Sequence, residues 1–291
     1  MKQNESNAPK FRRLLLRAIL VVLIIVPMLF VGASARAQAS KANNSAQTIV
    51  LVHGAWADGS GWNGVTSRLQ KDGYTVWVVP NPLRGLSSDA AYVASILNTI
   101  TGPIILAAHS YGGAVITNAA SGNPNVKALV YIDGLALDEG ESALQLAAMP
   151  PPPGASPSCV LGDPSTIFNI VPYPGAENGD VDLYIKPELF PSCFANTIAA
   201  KEAAVLAASQ RPVTFSALNE PSGPPAWKTI PSWYLVGTLD KVIPPYLQIF
   251  MAERANAQIV QVKAPHPSMI SDPNDVAKLI ETAAQAVLAT P

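Results

Sequence analysis

From residue 48 onward, short apolar runs alternate with longer amphipathic ones. Thr48–Val52 is almost wholly apolar and stops at His53-Gly54. Five residues are too few for a helix, and an unbroken apolar run suits a strand buried on both faces. Residues 62–69 carry apolar positions at helical spacing and close at Asp72-Gly73. Residues 74–79 read as a second strand. Residues 88–100 read as a helix with Ser88 as its N-cap. Residues 103–107 form another apolar strand, followed by a helical pattern over 114–120. Val126–Ile132 is the next strand and ends at Asp133-Gly134. Strands alternating with helices predict a parallel sheet covered on both faces.

The rhythm breaks between about 138 and 225. Proline is frequent there, four prolines stand together at 150–153, and no strand pattern is clear. The helix candidates in this stretch are 141–148 and 198–209. The same α/β rhythm then resumes, with strands at 232–236 and 258–263 and helices at 244–255 and 274–288. The later elements are too few for a second domain. The expectation is therefore one α/β domain over 40–291, with residues 138–225 inserted as a cap.

Residues 1–39 do not belong to that fold. Lys2, Lys10, Arg12, Arg13 and Arg17 precede an apolar stretch over 18–31, and Ala37-Gln38-Ala39 is a cleavage signature. This is the grammar of a signal peptide, with a mature start near Ser40. The expected location is secreted or periplasmic, the alternative being an uncleaved inner-membrane anchor. Removing 1–39 takes six of the 19 basic residues and one of the 20 acidic ones, leaving 13 against 19, or −6. A mildly acidic body with no basic cluster argues against nucleic acid as partner. Once the leader is cleaved no membrane contact is expected, and the sequence carries no sign of the state of assembly. Export would put Cys159 and Cys193 where a disulfide forms. A bridge between them is expected, and two buried thiols are the alternative.

The chemistry lies in Ala108-His109-Ser110-Tyr111-Gly112. An apolar strand, a serine between small residues, and then a helix make the context of a nucleophile elbow. A serine hydroxyl needs a base, and the base needs an orienting acid. The chain holds three histidines. His53 ends the first strand, and His109 adjoins the serine in an elbow that turns neighbours apart. His266, in the loop after the last strand, is the base by elimination and position. The acid should lie between serine and histidine in the chain. Asp240 and Asp133 both qualify. Asp240 is preferred because it follows the penultimate strand, next to the strand that carries His266. Asp272 reads as the turn that starts the final helix. The backbone N–H groups of Ala55 and Tyr111 are the expected oxyanion donors, with His53 bracing the loop. Trp56 is read as a substrate contact. This set calls for no metal and no cofactor.

The segments 51–56, 108–113, 237–244 and His266 with its flanks resemble the α/β-hydrolase superfamily. They are similar to its small esterase-like branch with a His-Gly-Ala-Trp oxyanion segment, which includes plant methyl esterases and hydroxynitrile lyases. The resemblance covers about Thr48 to the C-terminus and is weakest in the cap. It departs from the usual Gly-x-Ser-x-Gly elbow by having Ala108 first. It implies an α/β-hydrolase fold, a Ser110–Asp240–His266 triad and cleavage of small-molecule carboxylic esters through an acyl-enzyme. Alternatives on the same fold are a lyase or perhydrolase, for which Lys241 could supply a charge, and an inactive binding module.

Overall fold

The computed structural model describes residue 44 and residues 46–289, and the compact unit that holds every strand begins at Ser45. The expected leader, residues 1–39, lies outside the described residues. Nine strands are described: β1 (Thr48–Val52), β2 (Thr75–Val79), β3 (Ile104–His109), β4 (Val126–Ile132), β5 (Phe168–Pro172), β6 (Val181–Ile185), β7 (Val213–Thr214), β8 (Ser232–Gly237) and β9 (Gln258–Val262). Six make a sheet in the order β2-β1-β3-β4-β8-β9, and every neighbouring pair is parallel.

The two-residue alternation of the inner strands feeds two separate cores. Val50, Val52, Leu106 and Ala108 face one layer, while Ile49, Leu51, Ile105 and Ala107 face the other. The second layer is closed by α1 (Asn63–Lys71) and the long C-terminal helix. The first is closed by α2 (Leu86–Leu97), α3 (Tyr111–Ala119) and the insertion. All six side chains of β3 are buried. At roughly 1.5–3 kcal/mol for each large aliphatic chain removed from water, such strands anchor the sheet. Helix α2 begins at Leu86 with Gly85 as its N-cap. Ser88 therefore lies inside the first turn, where its hydroxyl donates to the Gly85 carbonyl instead of capping.

The stretch between β4 and β8 is where expectation and structure part. It contains α4 (Ala143–Ala147), α5 (Pro164–Ile167), α6 (Phe190–Cys193), α7 (Ala200–Ser209) and α8 (Phe215–Asn219), but also an antiparallel sheet β5-β6-β7. That sheet is hard to read in the sequence for a physical reason. β7 is two residues long, and β5 and β6 are five-residue runs each broken by a polar residue (Asn169, Asp182) in a stretch rich in proline, so none of the three stands out as a strand. Within the insertion Cys159 and Cys193 form a disulfide with Cα atoms 5.7 Å apart. Closing a loop of 34 residues is worth about 4 kcal/mol in the chain-entropy account. After β8 come α9 (Pro245–Arg254), β9, α10 (Ser268–Ser271) and α11 (Pro273–Ala289). No described helix is long and apolar enough to cross a membrane.

Candidate active site

Strand β3 runs into α3 through a single residue. Ser110 has φ 54° and ψ −129°, a left-handed conformation that costs a non-glycine residue on the order of 1–3 kcal/mol. The edge of β4 over-determines it: Ser110 N–H donates to Ile132 O at 3.2 Å, and Ser110 O accepts from Leu135 N–H at 3.0 Å and Gly113 N–H at 2.8 Å. Small residues around the turn are a steric demand. A Cβ on Gly112 would sit 2.8 Å from His53 O, and one on Gly54 would sit 2.5 Å from the Ser110 Cβ. The loop after β1 can lie against the serine only because residue 54 has no side chain.

Three loops at the carboxyl ends of the strands converge here, as open parallel sheets allow at the point where strand order reverses. His266 Nε2 lies 2.8 Å from Ser110 Oγ, and His266 Nδ1 lies 2.7 Å from Asp240 Oδ2. Asp240 takes two backbone N–H bonds on Oδ1, from Val242 at 2.8 Å and Ile243 at 3.0 Å. Gln248 Nε2 donates to Oδ2 at 2.8 Å. With every neighbour of Asp240 a donor, His266 presents Nδ1–H to the carboxylate and leaves the Nε2 lone pair for the serine proton. Burial away from water pushes His266 down to about 3, so the ring rests neutral. Burial also pushes Asp240 upward, and the donors from Ile243, Val242 and Gln248 oppose that.

Asp133, the other acid considered, is fully buried but contacts neither histidine nor serine of this line. Its Oδ1 accepts from Gly237 N–H at 2.8 Å, and its Oδ2 accepts from the hydroxyl and N–H of Ser268. It fastens the ends of β4 and β8 to the loop just beyond His266. Burial, and then the charge of Asp240, push its carboxyl well up.

The loop Gly54-Ala55-Trp56 faces the serine from β1. Among the described residues no acceptor is found for the N–H of Ala55 or of Tyr111. His53 braces this loop: its Nδ1 bonds Gly54 O at 3.0 Å, and its Nε2 accepts from Asn81 N–H at 3.0 Å. Trp56 lines a cavity of about 50 Å³ beside Ser110 with Leu135, Leu144, Val160, Leu218 and Ile243. It is also pinned. Its backbone N–H donates to Arg211 O at 3.0 Å, its indole N–H donates to Leu183 O at 2.9 Å, and its ring stacks on Phe168. Lys241 is exposed.

Two neighbours of the site, Gln248 and Phe194, do not stand out in the sequence, and two others, Tyr111 and His109, make side-chain contacts that the sequence alone does not indicate. Gln248 orients Asp240 from α9. Phe194 sets its edge against the His266 ring at 5.0 Å. Tyr111 OH donates to the buried Asp89 at 3.0 Å, tying the elbow helix to α2. An elbow turns adjacent side chains apart, yet the His109 ring lies 4.6 Å from that of His266 and its Nε2 donates to His266 O at 3.0 Å. Only Gln248, eight residues after Asp240 on a predicted helix, leaves a periodic signal that could have found it.

This arrangement can be set beside known proteins. A carbendazim hydrolyzing esterase of Nocardioides sp. is 31% identical over 126 residues, 39% of this chain and 52% of that relative, so the match spans about half its length. The alpha/beta hydrolase nvfD of Aspergillus novofumigatus is 26% identical over 256 residues, covering 81% of this chain and 96% of the relative. The crystal structure of polyneuridine aldehyde esterase superposes with a TM-score of 0.68 at 18% identity, over 81% of this chain and 98% of that one. The family model described as Alpha/beta hydrolase family matches residues 49–279, from inside β1 to inside α11. On a match that spans the whole main sheet, the chain belongs to the alpha/beta hydrolase family.

Proposed function

We propose that the protein is an exported serine esterase that cleaves small carboxylic esters through an acyl-enzyme on Ser110. The observation that carries this reading is the unbroken line of hydrogen bonds from Ser110 Oγ through the His266 ring to Asp240, at 2.8 and 2.7 Å. His266 Nε2 takes the hydroxyl proton as Ser110 Oγ attacks the ester carbonyl carbon. Asp240 holds the ring in the Nδ1–H tautomer and stabilises the imidazolium that forms. The amides of Ala55 and Tyr111 receive the oxyanion, each worth roughly 3 kcal/mol. His266 then returns its proton to the departing alkoxide oxygen. A water repeats the sequence on the acyl group and frees Ser110.

Likeness to proteins named as esterases supports the reaction class. The cavity beside Ser110 is small, and none of its lining residues is charged, which favours a compact, neutral, apolar acyl group. Trp56 is its aromatic wall. Export is supported by the basic, then apolar, then Ala-x-Ala order of residues 1–39. N-terminal sequencing of the extracellular or periplasmic protein should read from near Ser40. The central test is a panel of p-nitrophenyl esters of increasing acyl length together with a fluorophosphonate probe. Short acyl esters should turn over fastest and the probe should mark Ser110. Ser110→Ala should abolish labelling and lower kcat by at least about 10³-fold with the fold intact. Full turnover by that variant would end the proposal.

A further inference from the structure

The loop that carries Asp240 is gripped by the insertion on both flanks. On one side Asn196 Nδ2 donates to Leu239 O at 3.0 Å. On the other, Cys159 N–H donates to Lys241 O at 2.8 Å and the Ser158 hydroxyl donates to Val242 O at 2.5 Å. Asp240 lies between the two grips. The Cys159–Cys193 disulfide joins them, because Cys193 ends α6 three residues before Asn196. Between Cys193 and Asn196 comes Phe194, buried, edge-on to His266, with Phe190 stacked behind it at 4.7 Å. One covalent bond thus ties together the two segments that hold the Asp240 loop, one of which also carries the ring packed on His266.

We propose that the Cys159–Cys193 disulfide is a positioning element for the Asp240–His266 pair, so that the enzyme is fast when oxidised and slow, while still folded, when reduced. The proposal rests on the role given above to Ser110, His266 and Asp240. Access to the bond is from the Cys159 side, since Cys193 is buried. Cys159 is only partly buried and lines a surface cleft of about 600 Å³ with Pro157, Asn196 and Tyr246. A dithiol reductant attacks Cys159 Sγ as its thiolate, the S–S bond breaks, and Cys193 leaves as a thiolate that takes up a proton. The second thiol of the reductant then displaces Cys159 Sγ as a thiolate, which is protonated in turn. Two electrons enter the protein, and the reductant departs as a cyclic disulfide.

The experiment compares the exported protein before and after dithiothreitol, with free thiols titrated and the fold followed by circular dichroism. The readouts are kcat and KM on a p-nitrophenyl ester, the rate of fluorophosphonate labelling, and the far-downfield proton resonance of His266 Nδ1–H. Reduction is expected to lower kcat and the labelling rate about tenfold, since loosening a supporting contact shifts catalytic groups by a fraction of an ångström to an ångström. KM should stay within about twofold, the downfield proton should broaden, and reoxidation should restore all three. A reduced, folded protein with unchanged kcat and labelling rate overturns the proposal. Unfolding on reduction overturns the folded, slow reduced state, and Asn196→Ala and Phe194→Leu then decide, with the disulfide intact, whether the positioning role stands. Each is expected to lower kcat about threefold or more with KM little changed, and normal kcat in both overturns the proposal. Absence of labelling in the oxidised protein would instead overturn the assignment of Ser110, and with it the basis of the proposal.

Discussion

Two buried carboxylates stand at the carboxyl ends of neighbouring strands, and their surroundings separate their roles. Asp240 faces His266 Nδ1 and three other donors. Asp133 faces Gly237 and Ser268. In Asp240→Asn the amide oxygen would keep the Val242 and Ile243 bonds, which turns the amide NH₂ toward His266. Donor then meets donor, the imidazole takes the other tautomer, and Nε2 can no longer accept the serine proton. The expected loss in kcat is about 10⁴-fold, the cost of a wrong tautomer in such a line. In Asp133→Asn the oxygen still accepts from Gly237, while the amide crowds Ser268 N–H. That should cost about 1–3 kcal/mol of stability and leave kcat within about tenfold. Kinetics and thermal melts of both variants decide the matter, and the reverse ranking would move the acid to Asp133.

At the scale of elements, helix α11 lies along α1 and brings Glu281 to Asp72, the residue that caps the end of α1. Burial and then Asp72 raise Glu281 from 4.5 to about 7. The folded chain therefore holds this proton more tightly than the unfolded chain does. Stability falls as pH rises from 4.5 through about 7, and the cost is complete above that. Glu281→Gln keeps a donor toward Asp72 and never ionises. It should melt above the parent on the alkaline side of 7 and lose that advantage near 4.5, by calorimetry across the range; an advantage independent of pH would contradict the linkage. The four inner strands of the main sheet, like these helices, are legible in the sequence because burial writes apolar runs into the chain, and the exposed edge strands β2 and β9 are legible from their β-branched residues. Thr48–Val52 and Val126–Ile132 can be read to the residue. The strands of the insertion cannot, since β7 is two residues long and β5 and β6 are short runs each broken by a polar residue among prolines. Ser110, Asp240 and His266 are legible from their positions at strand ends. Phe194 and Asn196 are not, because they reach the site from a segment whose path is fixed by contacts with other loops.

For the unit as a whole, the insertion does not rest on the sheet as a loose lid. It is sewn to the loops of the proposed site: the Asp240 loop through Ser158, Cys159 and Asn196, and the Gly54-Ala55-Trp56 loop through Trp56. The Trp56 seam lies next to Ala55. Trp56 has φ 55°, a conformation that a bulky residue keeps only when its surroundings insist. Here the restraint is its backbone bond to Arg211 O, its indole bond to Leu183 O in β6, and the stack on Phe168 in β5. Ala55, the proposed oxyanion donor, is the residue just before it. Trp56→Phe keeps an aromatic ring against Phe168 but removes the indole donor. Leu183 O then loses a partner in a buried place, at about 1–3 kcal/mol, which for a chain of this size is a fall in Tm of about 2–12 °C. If the seam also sets the angle of the Ala55 amide, kcat and the rate of fluorophosphonate labelling should fall about tenfold while the KM for a short acyl ester changes little, because the lost contact acts on the oxyanion and not on ground-state binding. A variant that melts earlier but labels and turns over at the parental rate would reduce Trp56 to a structural pin. Loss confined to KM would make it only the wall of the acyl cavity.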